Sequence, residues 1–88
     1  MKLIIAILPD QNVDPVLERL LSNGFRVTFI ASTGGFLRRG SSTLMIGVQD
    51  DQVDEAIETI RKGLSSEIPS KKKLATLFVL NVEHFTQI

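Results

Sequence analysis

The stretch LIIAILPDQNVDPVLERLLSNGFRVTFIA, residues 3–31, decides the fold because its hydrophobic pattern changes twice. Leu3–Leu8 is a continuous apolar run, too short for a buried helix and ended by Pro9-Asp10, which predicts a central strand. The next apolar residues recur at helical spacing and predict one helix face; they are Val13, Val16, Leu17, Leu20 and Leu21. Gly24 stands where a left-handed C-terminal cap belongs, and the alternation of Phe25–Ala31 predicts a second strand.

The remainder of the chain repeats this order of elements. Thr43–Val48 predicts a third strand, and Leu74–Val82 predicts a fourth, followed by a short tail. Between them lies a second helix, ended or kinked at Gly63, with an apolar face of Val53, Ala56, Ile57, Ile60 and Leu64. The order β-α-β-β-α-β predicts an α+β, ferredoxin-like fold in a single domain, residues 1–88, with two helices on one face of a four-stranded antiparallel sheet.

Composition excludes several classes of function. The 88 residues include 10 Lys and Arg, 10 Asp and Glu and no cysteine. Zero formal net charge argues against binding to nucleic acid or to membrane surfaces, which needs a basic excess. Without cysteine the chain has no disulfide and no thiolate metal site. The N-terminal apolar run is too short for a secretory signal, so we expect a cytoplasmic protein without membrane insertion.

The predicted strands one and four are apolar on both faces. Leu3, Ile5 and Ile7 alternate with equally apolar neighbours, whereas a sheet face left to water reads polar at every second residue. At about 25 cal/mol per Å² of buried apolar surface, covering this second face is worth several kcal/mol. We therefore expect symmetric copies of the chain to cover it as a homo-oligomer.

Signatures of an enzyme or a metal site are sparse. His84 is the sole histidine and no nucleophile accompanies it, so an enzyme that uses it as an acid or base is the least favoured hypothesis. The acidic cluster Asp50, Asp51, Asp54 and Glu55 falls at a helix start, where Asp50 or Asp51 is predicted to cap the helix. Lys71–Lys73 is interpreted as a solvated run that protects a strand edge, with an anion contact as the alternative. We predict no catalytic residue, no metal and no cofactor.

The segment Ser32–Ser41, STGGFLRRGS, is the most informative loop. Two adjacent glycines let backbone amides approach a ligand, hydroxyl groups flank them, and Phe36 with Arg38 and Arg39 supplies an aromatic surface and two cations. That combination suits a nucleotide, by stacking on the base and charged donors to phosphate. It equally suits a hairpin loop whose Phe36 packs on a neighbouring subunit, and composition leaves both interpretations open.

The string TGGFLR at residues 33–38, followed by Gly40 and a strand, resembles the small PII-like proteins that bind cyclic di-AMP, the PstA or DarA type. The flanking patterns fit the same family; they are FRxT at 25–28, GVxDDxVD at 47–54 and FVL…FxQ at 78–87. The resemblance implies a non-enzymatic signalling protein, a homotrimer that holds one cyclic di-AMP in each cleft between subunits. It also implies a downstream protein partner, which the sequence does not identify.

Site residues follow from the same resemblance, position by position. Arg26 and Thr28 would contact the ligand, and Gly47 would let it approach strand three. An aromatic wall would come from Phe78. The remaining implied ligand residues lie in or just after the loop; they are Gly35, Phe36, Leu37 and Ser41. The alternation of strand two agrees, because it places Arg26 and Thr28 on the face opposite Phe25, Val27 and Phe29.

Two features differ from the family's usual pattern. Ser41 stands where the family usually has an asparagine, and a hydroxyl makes fewer contacts to a base edge than an amide. Gly63–Lys73 is a short connection where the family usually has a long loop. These differences support an alternative function, a PII-like trimeric interaction or scaffold module that has lost nucleotide binding.

Overall fold

The computed structural model describes residues 1–33, 40–64 and 75–88. Its strands and helices are β1 (Lys2–Pro9), α1 (Val13–Ser22), β2 (Arg26–Ser32), β3 (Ser41–Val48), α2 (Val53–Gly63) and β4 (Thr76–Asn81). A single 3-10 turn precedes each helix, Asp10–Asn12 before α1 and Asp50–Gln52 before α2. The predicted order of strands and helices is confirmed.

The four strands form one sheet in the spatial order β2-β3-β1-β4. Every neighbouring pair is antiparallel, so β1 and β3 lie in the centre and β2 and β4 lie at the edges. This arrangement, with two helices, is the ferredoxin-like α+β fold that the sequence predicts. The helices within the described ranges are all too short, or too polar, to cross a bilayer.

One face of the sheet packs against both helices and forms the hydrophobic core. The strand residues on this face alternate with their neighbours, as the period of two requires. The fully buried ones are Ile4, Ala6, Leu8, Leu44, Ile46 and Val48. From the helices, Val16, Leu20, Ala56 and Ile60 close the core.

The opposite face, called the open face below, carries the other half of each strand. Cross-strand pairing arranges its side chains in two rows that run across the sheet. The first row is Arg26, Gly47, Leu3 and Leu80, and the second is Thr28, Met45, Ile5 and Phe78. Phe78 is 51% exposed and Leu80 is 46% exposed. Among the described residues, no helix covers these apolar side chains, as the two-faced pattern of β1 and β4 predicts.

A β-bulge interrupts the alternation of β2. Phe29 pairs with Leu44, but the next pair is Ala31 with Thr43, so one extra residue lies between them. With strict alternation, Ile30 would be the next residue after Thr28 on the open face. Because of the bulge, Ala31 has that position instead. The extra residue also reverses the face of every side chain beyond it in the strand.

Two local predictions are wrong. Leu21 belongs to the predicted helix face but is 56% exposed, because it lies at the margin of the apolar stripe. Neither Asp50 nor Asp51 caps α2, whose N-cap residue is Gln52. The Asp50 carboxylate instead contacts the α-amino group of Met1, and the amide of Gln49 donates to Gln52 Oε1 at 3.0 Å. Phe29 lies on the helix-covered face as predicted, although it remains half exposed because β2 is an edge strand.

The two predicted helix-ending glycines have different roles. Gly24 has φ +83°, so it adopts the left-handed conformation predicted for a cap after α1. Gly63 is the last residue of α2, and it lies against α1. A Cβ atom at position 63 would lie 2.8 Å from Val16 Cα and 2.9 Å from its Cγ2. Gly63 therefore permits the close approach of the two helices.

We expect Gly63→Ala to destabilise the protein. A methyl group there meets the backbone of α1, which cannot move aside as a flexible side chain would. Overpacking of this kind costs about 1–3 kcal/mol, and the better helix propensity of alanine returns less than about 1 kcal/mol. Thermal unfolding followed by circular dichroism should show a Tm several degrees lower. Lys62→Ala, on the exposed side of α2, is the control, and an unchanged or higher Tm for Gly63→Ala would contradict the packing argument.

Candidate ligand-binding site

A cavity of about 310 Å³ lies at one end of the open face. Its walls come from β1, β2, β3 and the C-terminal tail; they are Met1, Lys2, Leu3, Arg26, Thr28, Met45, Gly47, Val82, Phe85 and Gln87. Three of the predicted ligand residues, Arg26, Thr28 and Gly47, are thus brought together. The lining is mostly apolar with a few polar groups, which is the usual composition of a small-molecule site.

Strand pairing explains why these three residues meet. Arg26 is directly opposite Gly47, and Thr28 is opposite Met45 two residues further along the same strands. Successive residues on one face of a strand are separated by two positions, so Arg26 and Thr28 project side by side. Gly47 has no side chain, so it leaves the space in front of Arg26 open.

Met1 occupies part of the space that Gly47 leaves. A Cβ atom built on Gly47 would lie 3.1 Å from Met1 Cε, the flexible end of that side chain. The Met1 carbonyl accepts a hydrogen bond from the amide of Val82 at 3.1 Å, and its α-amino group lies 3.0 Å from Asp50 Oδ1. Hydrogen bonding to this amino group, reinforced by its charge, holds the pKa of Asp50 below its ordinary value. Met1 is thereby held beside the cavity.

The C-terminal tail contributes cavity residues that the sequence analysis did not single out. Phe85 and Gln87 both line the cavity, although Phe85 remains 62% exposed. The tail after Val82 is only six residues long, yet it reaches one end of the open face. The available signal was the FxQ pattern at 85–87, which the resemblance includes without assigning it a contact with the ligand.

The other described candidates lie away from this group. Phe78 shares a row with Thr28, but three strand spacings, about 14 Å, separate β4 from β2. Ser41 lies at the opposite end of β3 from Gly47, six residues or about 20 Å along the strand. One copy of the chain therefore does not bring Phe78 or Ser41 to the Arg26 side chain.

Several predictions fall on residues outside the described ranges. Gly35, Phe36 and Leu37, the implied adenine pocket, belong to residues 34–39, and the cations Arg38 and Arg39 fall there as well. Most of the short connection Gly63–Lys73, with the run Lys71–Lys73, belongs to residues 65–74. They therefore remain predictions from the sequence.

The helical side of the protein also carries a depression, of about 470 Å³, between α1 and α2. Its lining mixes both charges and contains none of the candidates; it comprises Arg19, Asn23, Glu55, Glu58, Thr59 and Lys62. His84 lies in the exposed tail with its Nε2 2.9 Å from the hydroxyl of Thr86. Within the described part of the chain, no three acidic or histidine side chains cluster as metal ligands would.

A protein-family model for cyclic-di-AMP receptors matches residues 1–68. The chain belongs to the cyclic-di-AMP receptor family. Among solved structures, the chain is similar to a functionally unknown protein from Pediococcus pentosaceus ATCC 25745, with 32% sequence identity and a TM-score of 0.75. That similarity covers 99% of this chain and 96% of the other. The family is one of nucleotide receptors, which is not an enzyme family, and the predicted resemblance is confirmed.

The family match covers β1 to α2 and ends before β4. It therefore includes Arg26, Thr28 and Gly47, the three candidates that share the cavity. Phe78 and the tail residues lie beyond residue 68, in the part of the chain that the similarity to the Pediococcus structure covers.

Proposed function

We propose that the chain is a non-enzymatic, cytoplasmic signalling protein that binds cyclic di-AMP in clefts between the subunits of a homotrimer. Membership of the cyclic-di-AMP receptor family supports the choice of ligand. The grouping of Arg26, Thr28 and Gly47 around one cavity is the observation that carries the choice of site.

Electrostatics at the cavity favour an anionic ligand. Arg26 is exposed on the open face, where its guanidinium group can donate two parallel hydrogen bonds to a phosphate. Lys2 also borders the cavity, but its ammonium group donates to the side-chain oxygen of Asn81. We therefore assign the phosphate contact to Arg26 and a supporting hydroxyl contact to Thr28.

The size of the cavity and the position of Phe78 support a site completed by a second copy. A volume of about 310 Å³ is at the lower end of the range of about 300–1,000 Å³ typical of small-molecule sites. A cyclic dinucleotide carries two bases, so a cavity of this size accommodates only part of it. Phe78 lies at the far edge of the sheet from Arg26, so a cleft that contains both takes them from different subunits.

The exposed apolar side chains of the open face supply the driving force for assembly. Leu80 and Phe78 are each about half exposed in one copy, next to Leu3 and Ile5 on β1. Burying such side chains stabilises an interface by about 25 cal/mol per Å² of apolar surface. A trimer that covers these residues would bring the Arg26 edge of one copy to the Phe78 edge of the next.

The alternative is a trimeric scaffold that no longer binds a nucleotide, which the serine at position 41 favours. Calorimetric titration of the purified protein with cyclic di-AMP separates the two, with cyclic di-GMP, ATP and AMP as controls. We expect saturable, selective binding near one cyclic di-AMP per chain. A folded protein that binds none of these nucleotides would contradict the receptor function and favour the scaffold.

A graded series at Gly47 tests the location of the site. Gly47→Ala, Gly47→Val and Gly47→Leu add increasing volume to the cavity floor, and we expect the affinity for cyclic di-AMP to fall in that order. The fold should tolerate all three, because the atom nearest to the added Cβ is the flexible Met1 Cε and because glycine itself weakens the interior of a strand. Titration gives the affinities and thermal unfolding gives the stabilities. Unchanged affinity for Gly47→Leu would place the ligand elsewhere.

A further inference from the structure

Asp10, the first residue of the 3-10 turn that follows β1, joins both ends of the β2–β3 connection. It is 1% exposed, and its Oδ2 accepts hydrogen bonds from the Gly40 amide and the Ser32 hydroxyl, each at 3.0 Å. Its Oδ1 accepts a hydrogen bond from the Ser42 hydroxyl. Its own amide donates to the Gly40 carbonyl at 2.9 Å. One carboxylate thus ties the last residue of β2, the residue before β3 and the second residue of β3 to the turn that follows β1.

The bulge in β2 is what brings Ser32 to Asp10. Strict alternation from Thr28 would place Ser32 on the open face. The extra residue between Phe29 and Ala31 reverses this, so Ser32 pairs with the buried Ser42 on the helix-covered face, where Asp10 lies. Bulges commonly re-aim a side chain next to a functional site, and here the re-aimed group is a hydrogen-bond donor to a buried carboxylate.

The two stems of the β2–β3 connection, residues 32–33 and residues 40–42, are also hydrogen-bonded to each other. The Thr33 amide donates to the Ser41 carbonyl at 2.9 Å, and the Ser41 amide donates to Thr33 Oγ1 at 2.8 Å. Ser41, an implied ligand residue, therefore lies between Gly40 and Ser42, both of which are bound by Asp10. The backbone on either side of Ser41 is held in place while its own side chain stays exposed.

The folding stability that Asp10 contributes does not by itself explain why a carboxylate is buried at this position. Burying a charge is costly even when hydrogen bonds satisfy it, and well-packed apolar groups often replace such networks without loss. A carboxylate that accepts hydrogen bonds from Ser32, Gly40 and Ser42 does, however, fix the relative positions of these donors closely. The arrangement is therefore better suited to fixing geometry than to stabilising the fold.

We propose that Asp10 is a positioning residue for cyclic di-AMP, holding the β2–β3 stems and Ser41 in the geometry that the ligand requires. Asp10 acts through these stems and does not touch the ligand. This inference rests on the proposed function, because it takes Ser41 as a residue that contacts cyclic di-AMP.

Asp10→Asn tests the inference with almost no change in shape. The amide keeps one acceptor oxygen and presents an NH2 group in place of the other, so at least one donor either turns to accept from that group or loses its hydrogen bond. The remaining hydrogen bonds also lose the charge that strengthens them. We expect affinity for cyclic di-AMP at least tenfold weaker than wild type, measured by calorimetry where both proteins are fully folded. Amide hydrogen exchange at Gly40 and Thr33 should be faster in the variant.

Controls separate positioning from stability. Ile60→Val, a core substitution on α2, lowers stability without removing any of the hydrogen-bond donors to Asp10 described above, and it should keep wild-type affinity. Ser42→Ala and Ser32→Ala each remove one donor to Asp10 and should weaken binding severalfold. These two milder variants also decide the question if Asp10→Asn does not fold.

Two outcomes would overturn the inference alone. One is wild-type affinity in Asp10→Asn, or in both serine variants if Asp10→Asn does not fold. The other is an affinity loss in Asp10→Asn with exchange at Gly40 and Thr33 unchanged, since Asp10 would then not act through the stems. A wild-type protein that does not bind cyclic di-AMP would instead contradict the proposed function itself, and this inference with it.

Discussion

Arg26→Ala is expected to weaken cyclic di-AMP binding by a hundredfold or more while leaving the fold intact. Arg26 is exposed on an edge strand and lines the cavity, so its removal creates no void in the core. Each hydrogen bond to a charged group contributes about 1.5–3 kcal/mol, and about 1.4 kcal/mol is a tenfold change in Kd. Loss of a two-pronged phosphate contact therefore gives at least about a hundredfold effect. Calorimetric titration at fixed salt measures it.

Two further variants test whether the loss of affinity depends on the position and the geometry of the Arg26 guanidinium group. Arg26→Lys keeps the charge but not the planar fork, and we expect an intermediate affinity. Arg19→Ala removes the same charge from α1, on the other side of the sheet, and should leave affinity unchanged. If Arg19→Ala weakened binding as much as Arg26→Ala, the effect would be general electrostatics and the assigned site would be wrong.

Leu80→Glu is expected to convert the protein from a trimer to a monomer. Leu80 lies on the open face beside Leu3, about half exposed in one copy, where a carboxylate meets water at little cost. In an interface the same carboxylate would be buried without a partner, which costs several kcal/mol per ion, repeated in every subunit. Light scattering coupled to size-exclusion chromatography measures the mass. Affinity for cyclic di-AMP should fall with the loss of the cleft.

Leu21→Glu is the matched control for this prediction. Leu21 has similar exposure, 56%, but lies on α1, on the other side of the sheet. It should remain a trimer with wild-type affinity. A Leu80→Glu protein with the same mass as wild type would show that the open face is not the interface between copies.

Most of the fold was predictable because local patterns and long-range packing agree. The apolar run of β1 predicts a central strand, and the order of elements then leaves few sheet arrangements. The wrong details depend on contacts between segments distant in the sequence. The bulge after Phe29 has no local signature. Gly63 does end α2 as predicted, but its close approach to Val16 could not be predicted from the local sequence. From the local sequence Asp50 is expected to cap a helix, but in the structure its carboxylate contacts the α-amino group of Met1.

The candidate site was only partly predictable. Alternation in β2 correctly placed Arg26 and Thr28 on the open face, and pairing then brought Gly47 beside them. The contribution of the tail was missed, because whether a short segment crosses a sheet end depends on where the last strand stops. The hydrogen bonds between Asp10 and the two stems were also missed, since residues 10, 32 and 42 are brought together only by the paired strands and the bulge.

Subunit complementation tests the central claim most directly, that two copies of the chain together form one cyclic di-AMP site. Arg26→Ala and Phe78→Ala each remove one wall of every cleft, so each variant alone should bind weakly. When the two variants are co-assembled, a mixed trimer contains one cleft that takes Arg26 from one chain and Phe78 from its neighbour. We predict that titration of the mixture recovers a fraction of sites with wild-type affinity. Mixed trimers that show no recovery would contradict the shared cleft.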